Sequence, residues 1–148
     1  MTRPTLRTTA YWLTTILGPA SFLMGGFLGV TRDPQMLATL HHLGYPDYFA
    51  TISGTWKILG ALAVVAPGLP RLKEWAYAGF FFELTAAAGS RAFVGDGLAD
   101  ILAPLGFLSL VAASWALRPA SRRLAAPARH EVRAEGPVTH GVLVLGTR

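Results

Sequence analysis

The chain has no cysteine among its 148 residues. Disulfides, thiolate metal sites, iron–sulfur ligation and cysteine redox chemistry are therefore excluded within it. Charge is the second scarcity. Only 14% of residues are charged, against about 25% in a soluble domain. With 52% hydrophobic residues and a mean hydropathy of +0.42, much of the surface is not built for water. Sequence signatures of a nucleophile triad, a P-loop and a Rossmann glycine fingerprint are missing as well. Gly25-Gly26 with Gly29 has no preceding strand, so phosphate binding is not supported. No nucleic-acid recognition module is present.

What the chain does have is four apolar runs, and they predict an all-α fold with four transmembrane helices. The runs cover about 10–30, 48–66, 75–93 and 98–117. Each is long enough to cross a hydrocarbon layer of ~30 Å. The first could instead be a signal peptide. Its length, the Gly18-Pro19 break in its middle and the lack of an A-x-A pattern before Thr31 favour an uncleaved span. Ser21, Gly25 and Gly29 form a small-residue stripe suited to close helix contact. Between the first two runs, residues 31–47 are too polar to span. Asp33-Pro34 there predicts the capped start of a short interfacial helix, and Gly44 its end. In the third run Ala76, Gly79, Glu83, Ala86, Ala87 and Ser90 share a small-residue face, expected to pack on other helices. Phe81, Phe82 and Leu84 are expected to face lipid.

The charge that remains is unevenly placed. Residues 118–148 hold six Arg and two Glu, whereas residues 1–117 hold seven basic and six acidic residues. The domain reading is a membrane unit over 1–119 and a basic, disordered tail over 120–148, with a short apolar patch at Val142–Leu145. With the N-terminus inside, ten Lys or Arg fall on the cytoplasmic side and two, Arg32 and Arg91, outside. The positive-inside rule then puts both termini in the cytoplasm. Beside a membrane helix, a basic tail reads as a flank near anionic lipid rather than a nucleic-acid arm.

Two charges lie inside the apolar runs. Lys57 and Glu83 are each thirteen residues from Pro70, so an antiparallel hairpin puts them at similar depth. A charge in mid-membrane costs at least ~2.5 kcal/mol and must be paired or face a polar cavity. The plain reading is a salt bridge that sets helix register, with little net stabilisation. The functional reading is a polar site that anchors a quinone head group or small polar substrate, or relays protons. Arg91 is eight residues after Glu83 on nearly the same face, and so competes for that carboxylate. Asp96, Asp100, Tyr45, His41 and His42 could line a mouth above it, or be ordinary solvated loop charges. Adjacent histidines on a helix point about 100° apart, which speaks against a metal site there. Tyr45 and Tyr48 read as interface aromatics.

Several segments resemble one family. Leu43-Gly44-Tyr45-Pro46, Trp56-Lys57-Ile58-Leu59-Gly60-Ala61, Pro67 and Pro70 with Leu72-Lys73-Glu74-Trp75-Ala76-Tyr77-Ala78-Gly79-Phe80, Gly95-Asp96 and Leu117-Arg118-Pro119 are similar to the DoxX-like family of small bacterial membrane proteins. The resemblance covers roughly residues 10–119 and implies a four-helix bundle in the inner membrane. The wider DoxX/DoxD group is named for association with a thiosulfate:quinone oxidoreductase, so the resemblance implies a redox-associated membrane subunit. Lys57, Glu74, Asp96 and Tyr45-Pro46 match its pattern. At Ser90-Arg91 relatives often carry Ser-His, and arginine cannot shuttle protons near neutral pH.

The leading expectation is thus a DoxX-like subunit holding a quinone near Lys57 and Glu83, with the electron carrier on an oxidoreductase partner. The alternatives are an intramembrane acid/base enzyme acting on a small hydrophobic substrate, and a non-catalytic scaffold or transporter. The small-residue faces also suit a homo-oligomer.

Overall fold

The computed structural model describes residues 6–123. Of the tail expected to be disordered over 120–148, residues 120–123 are described and Ala120–Arg122 form a 3-10 turn, while the rest, with the expected apolar patch at 142–145, lies outside the described residues. The described chain is helical throughout: α1 (Leu6–Leu17), α2 (Phe22–Val30), α3 (Pro34–His42), α4 (Tyr48–Val65), α5 (Pro70–Phe93) and α6 (Leu98–Leu117). A 3-10 turn at Pro19–Ser21 joins α1 to α2, and a second, at Ala120–Arg122, follows α6. Among the described residues there is no strand.

Three segments are long and apolar enough to cross a membrane: Leu6–Val30, Tyr48–Val65 and Leu98–Leu117. The first is α1 and α2 taken together across the break at Pro19, whose ring nitrogen cannot donate to the helical ladder. Of the four expected spans, the third does not meet this measure. Its helix, α5, has 24 residues, but five of them are charged: Arg71, Lys73, Glu74, Glu83 and Arg91.

Local signals explain the helix ends. The Asp33 carboxylate accepts from the N–H groups of Gln35 at 3.0 Å and Met36 at 3.2 Å, and Pro34 takes the first helical position. Gly44 has a φ of 81° after the end of α3. The reversal between α4 and α5 is shorter than the expected 67–74 connection. Gly68 and Leu69, with φ of 68° and 53°, complete the turn, and Pro70 starts α5 at once. Its fixed φ suits a first helical residue. Arg71, Lys73 and Glu74 therefore lie on the helix rather than in a loop.

The neighbours pack as α2 on α4, α4 on α5, α5 on α6 and α6 on α1. The α2–α4 contact is made by backbone. A Cβ on Gly54 would lie 2.7 Å from the Gly26 carbonyl oxygen, and one on Gly29 would lie 2.7 Å from that of Ala50. The expected stripe Ser21, Gly25 and Gly29 is thus corrected to Gly26 and Gly29. Gly25 lies about 100° round the helix from Gly26 and so misses the backbone contact. Gly25 turns instead toward the Lys57 stem.

The main core cluster is Ala61, Val64, Tyr77, Phe80, Leu84 and Val111. This corrects the faces expected for α5. Phe81 and Phe82 are exposed, but Leu84 is buried, while Gly79 and Ala86 are exposed. The buried stripe is Lys73, Tyr77, Phe80, Leu84 and Ala88. Phe80 stacks on Phe22 with centroids 4.5 Å apart and abuts Gly60. The small residues near Glu83 leave space rather than filling it.

Candidate functional site

Lys57 sits at mid-helix on α4 and Glu83 at mid-helix on α5, and their side chains meet. Lys57 Nζ is 2.9 Å from Glu83 Oε1, with side-chain exposures of 16% and 31%. Equal distance from the Pro70 turn gives equal depth, and the rotations of both helices bring the groups face to face. The Lys57 stem passes Gly25, whose missing side chain makes the room; a Cβ there would lie 4.0 Å from Lys57 Cδ.

The pair does not fill its surroundings. An open pocket of about 330 Å³ lies among α2, α4, α5 and α6; Lys57 lines it, and Ser21, Ala103 and Phe107 on its walls are exposed. Arg91 lines it too, as does Phe22. The pocket therefore has two cationic donors and no carboxylate in its wall. Such a set can bind acceptor oxygens on a molecule with an otherwise apolar body.

Arg91 does not bond Glu83. Its Nη1 lies 2.9 Å from Asp96 and 3.7 Å from Asp100. Five residues along the helix and round the turn put Asp96 closer than Glu83, which lies two turns back. His42 Nε2 approaches the other Asp96 oxygen at 2.6 Å, tying α3 to the α5–α6 turn. The Asp96 carboxyl is held below its usual pKa of 3.8, chiefly by the His42 hydrogen bond and further by Arg91. Tyr45 Oη and Ser90 Oγ share a hydrogen bond of 2.8 Å. Hence Tyr45, His42, Arg91, Asp96 and Asp100 do gather at one end of the bundle. His41 turns away and pairs with Asp47, which also bonds Arg32 at 3.3 Å. That contact lowers the Asp47 pKa, with the His41 hydrogen bond the main cause. Among the described residues no three His, Asp or Glu side chains converge as a metal site would require.

The opposite end holds a polar network that sequence reasoning missed. Lys73 is completely buried. Its Nζ donates to the carbonyls of Ala63 at 2.8 Å and Val64 at 2.7 Å, and to that of Ala66. These are carbonyls at the end of α4, which have no partner within the helix. Arg122 reaches the Val64 and Val65 carbonyls as well. Glu74 accepts from Arg118 at 2.7 Å and from Trp115 Nε1 at 2.9 Å. The Arg118 guanidinium lies 4.9 Å from the Tyr77 ring centre, and its Nη1 has no hydrogen-bond partner among the described residues. Beneath it, Tyr77, Ser114 and Thr15 form a buried hydroxyl chain with links of 2.8 and 2.7 Å. The four-residue step from Lys73 to Tyr77 was visible, but nothing in the sequence pointed to α1 or α6 as their partners.

The model of the DoxX-like family matches residues 13–114. No curated protein and no solved structure matches the chain.

Proposed function

The chain belongs to the DoxX-like family of membrane proteins, and from that premise we propose that it serves redox chemistry as a small membrane subunit that holds a quinone in the pocket lined by Lys57 and Arg91. In this reading α5 is the third of four spans, α3 lies at the membrane surface, and both termini face the cytoplasm of a bacterium, under the inner membrane. The excess of Lys and Arg at the Pro67–Pro70 end supports that orientation. Arg91 and the lysine–glutamate pair bring α5 through the bilayer with its charges turned inward or bonded at its ends.

The observation that carries the reading is the pocket wall. Lys57 and Arg91 both line it, while the carboxylates that hold them, Glu83 and Asp96, stand outside. Lys57 and Arg91 would donate to the quinone carbonyls, and Glu83 would keep Lys57 charged and oriented. A bound quinone supplies two-electron redox chemistry, which a chain without cysteine lacks. Electrons would come from an oxidoreductase partner. Glu83 is engaged with Lys57, which favours a holding role over that of a free acid or base.

The test is native mass spectrometry of the detergent-purified chain, followed by titration with a tail-less dimethoxy-methyl-benzoquinone. Co-purifying quinone and saturable binding that Lys57→Met weakens at least tenfold are expected. An empty protein that takes up no benzoquinone overturns the proposal.

A further inference from the structure

Arg91 owes its place to a helix that does not line its pocket. α5 ends in a Schellman turn: Gly95 takes a φ of 79°, its N–H donates to the Ala92 carbonyl at 3.2 Å, and the Asp96 N–H donates to the Arg91 carbonyl at 3.0 Å. The chain thus folds back and sets the Asp96 carboxylate beside the Arg91 guanidinium, 2.9 Å from Nη1. The other Asp96 oxygen meets Nε2 of His42, the last residue of α3, at 2.6 Å. With a partner on each oxygen, the Asp96 side chain is only 11% exposed. One residue before Arg91, the Ser90 hydroxyl bonds Tyr45, from the segment that follows α3. Contacts from residues 42 and 45 therefore bracket Arg91 at residues 96 and 90, although neither 42 nor 45 lines the pocket.

We propose that α3 regulates the pocket through Asp96: His42 is a positioning residue that holds the Asp96 carboxylate, and through it Arg91, in the geometry that receives the ligand. This rests on the reading of the pocket given above and adds its regulation by α3. The physical case is preorganisation. An arginine side chain has many rotamers, and a ligand that must order one binds less tightly than a ligand that finds it fixed. Arg91 also has a second carboxylate within reach, Asp100 on α6, at 3.7 Å and with a side chain 61% exposed. His42 biases the choice by holding Asp96 toward Arg91. When that bond is lost, Arg91 divides its time between Asp96 and Asp100. The neighbouring histidine supplies the comparison. His41 precedes His42 on the same short helix, but its partner is Asp47, which bonds Arg32 instead.

The experiment has one readout that needs no quinone. The full chain in detergent is treated with phenylglyoxal, which modifies arginine, and the rate at each arginine is followed by peptide mass spectrometry. Arg91 is 26% exposed, within reach of the reagent. His42→Ala should raise the Arg91 rate roughly threefold or more and leave the Arg32 rate unchanged, while His41→Ala should do the reverse. His42→Gln, whose amide can donate to Asp96, should restore the wild-type rate at Arg91. Affinity for the tail-less benzoquinone should fall roughly threefold or more in His42→Ala and stay unchanged in His41→Ala. It should fall no further when His42→Ala is added to Arg91→Met. An Arg91 rate that His42→Ala leaves unchanged, or that both alanine variants raise alike, overturns the positioning role. So does an affinity loss from His42→Ala that persists undiminished beside Arg91→Met. If wild type takes up no benzoquinone, the head-group reading falls, and the Arg91 rates still decide whether α3 holds Arg91.

Discussion

Two regions of the molecule each combine a lysine with a glutamate between helices, and they are built on opposite principles. At the Pro67–Pro70 end, Lys73 is fully buried and satisfied by three carbonyls, while Glu74 is shared by Arg118 and Trp115. The Lys73 donors meet carbonyls at a helix end, and Arg118 and Trp115 meet the Glu74 carboxylate. At mid-bundle, Lys57 and Glu83 have each other, and open volume on both sides. The first arrangement fastens helix ends. The second stands between two open spaces, as a binding site needs. Burial alone would have ranked them the other way, because the more deeply buried lysine is the structural one.

The sharpest way to break this contrast is to remove each lysine in turn. Lys73→Met leaves the Ala63 and Ala66 carbonyls without their donor, while Val64 keeps Arg122, at about 1–3 kcal/mol for each group stranded. A loss of roughly 2 kcal/mol or more is expected in a reversible denaturation assay in micelles. A loss below about 1 kcal/mol would show that water or lipid head groups satisfy those carbonyls instead.

Next comes packing against opening. Gly54→Leu drives a side chain into the Gly26 carbonyl and should cost about 1–3 kcal/mol in the same assay. Gly79→Leu enters the open groove between α4 and α5 and should stay within about 0.5 kcal/mol of wild type. Equal costs would erase the distinction between a closed and an open helix pair.

The mid-bundle pair gives a smaller effect on stability and a larger one on binding. In a double-mutant cycle, Lys57→Met and Glu83→Leu should show a coupling of about 1–2 kcal/mol, with the double variant nearly as stable as wild type. Benzoquinone binding should be lost in both Lys57→Met and the double variant. A double variant that still binds would reduce the pair to a register device.

The smallest effect is a pH response at the α3 end. The folded Asp96 carboxyl has a pKa below 3.8, so its contribution is fully present above that value. It is lost as pH falls through the depressed folded pKa. Amide exchange in α3 should therefore quicken only below pH 3.8, and Asp96→Asn should remove the response. A response that persists in Asp96→Asn would show that Asp96 is not the controlling group.

Some of this was legible before any coordinates. Asp33-Pro34 and Gly44 mark the limits of α3 because caps and turns depend on the local chain alone. The depth of Lys57 and Glu83 follows from counting to Pro70, and the scarcity of charge with the long apolar runs marks a helical membrane protein. Other features were not legible. The contact face of α2 differs from the expected one by a single residue, Gly26 in place of Gly25, and only α4's path selects it. Leu84 reads like Phe81 and Phe82, yet α6 and the core cover it. The network of Lys73, Tyr77, Ser114 and Thr15 joins three helices, with no sequence spacing to announce it.

By itself, the sequence determined helix content, turn chemistry and the levels at which charges lie, since these depend on neighbours within a few residues and on transfer from water. Tertiary structure decided the partners. Whether Glu83 meets Lys57 or Arg91, and whether a stripe of small residues closes a contact or opens a groove, depends on helix rotation. Rotation is set by packing among segments far apart in the chain.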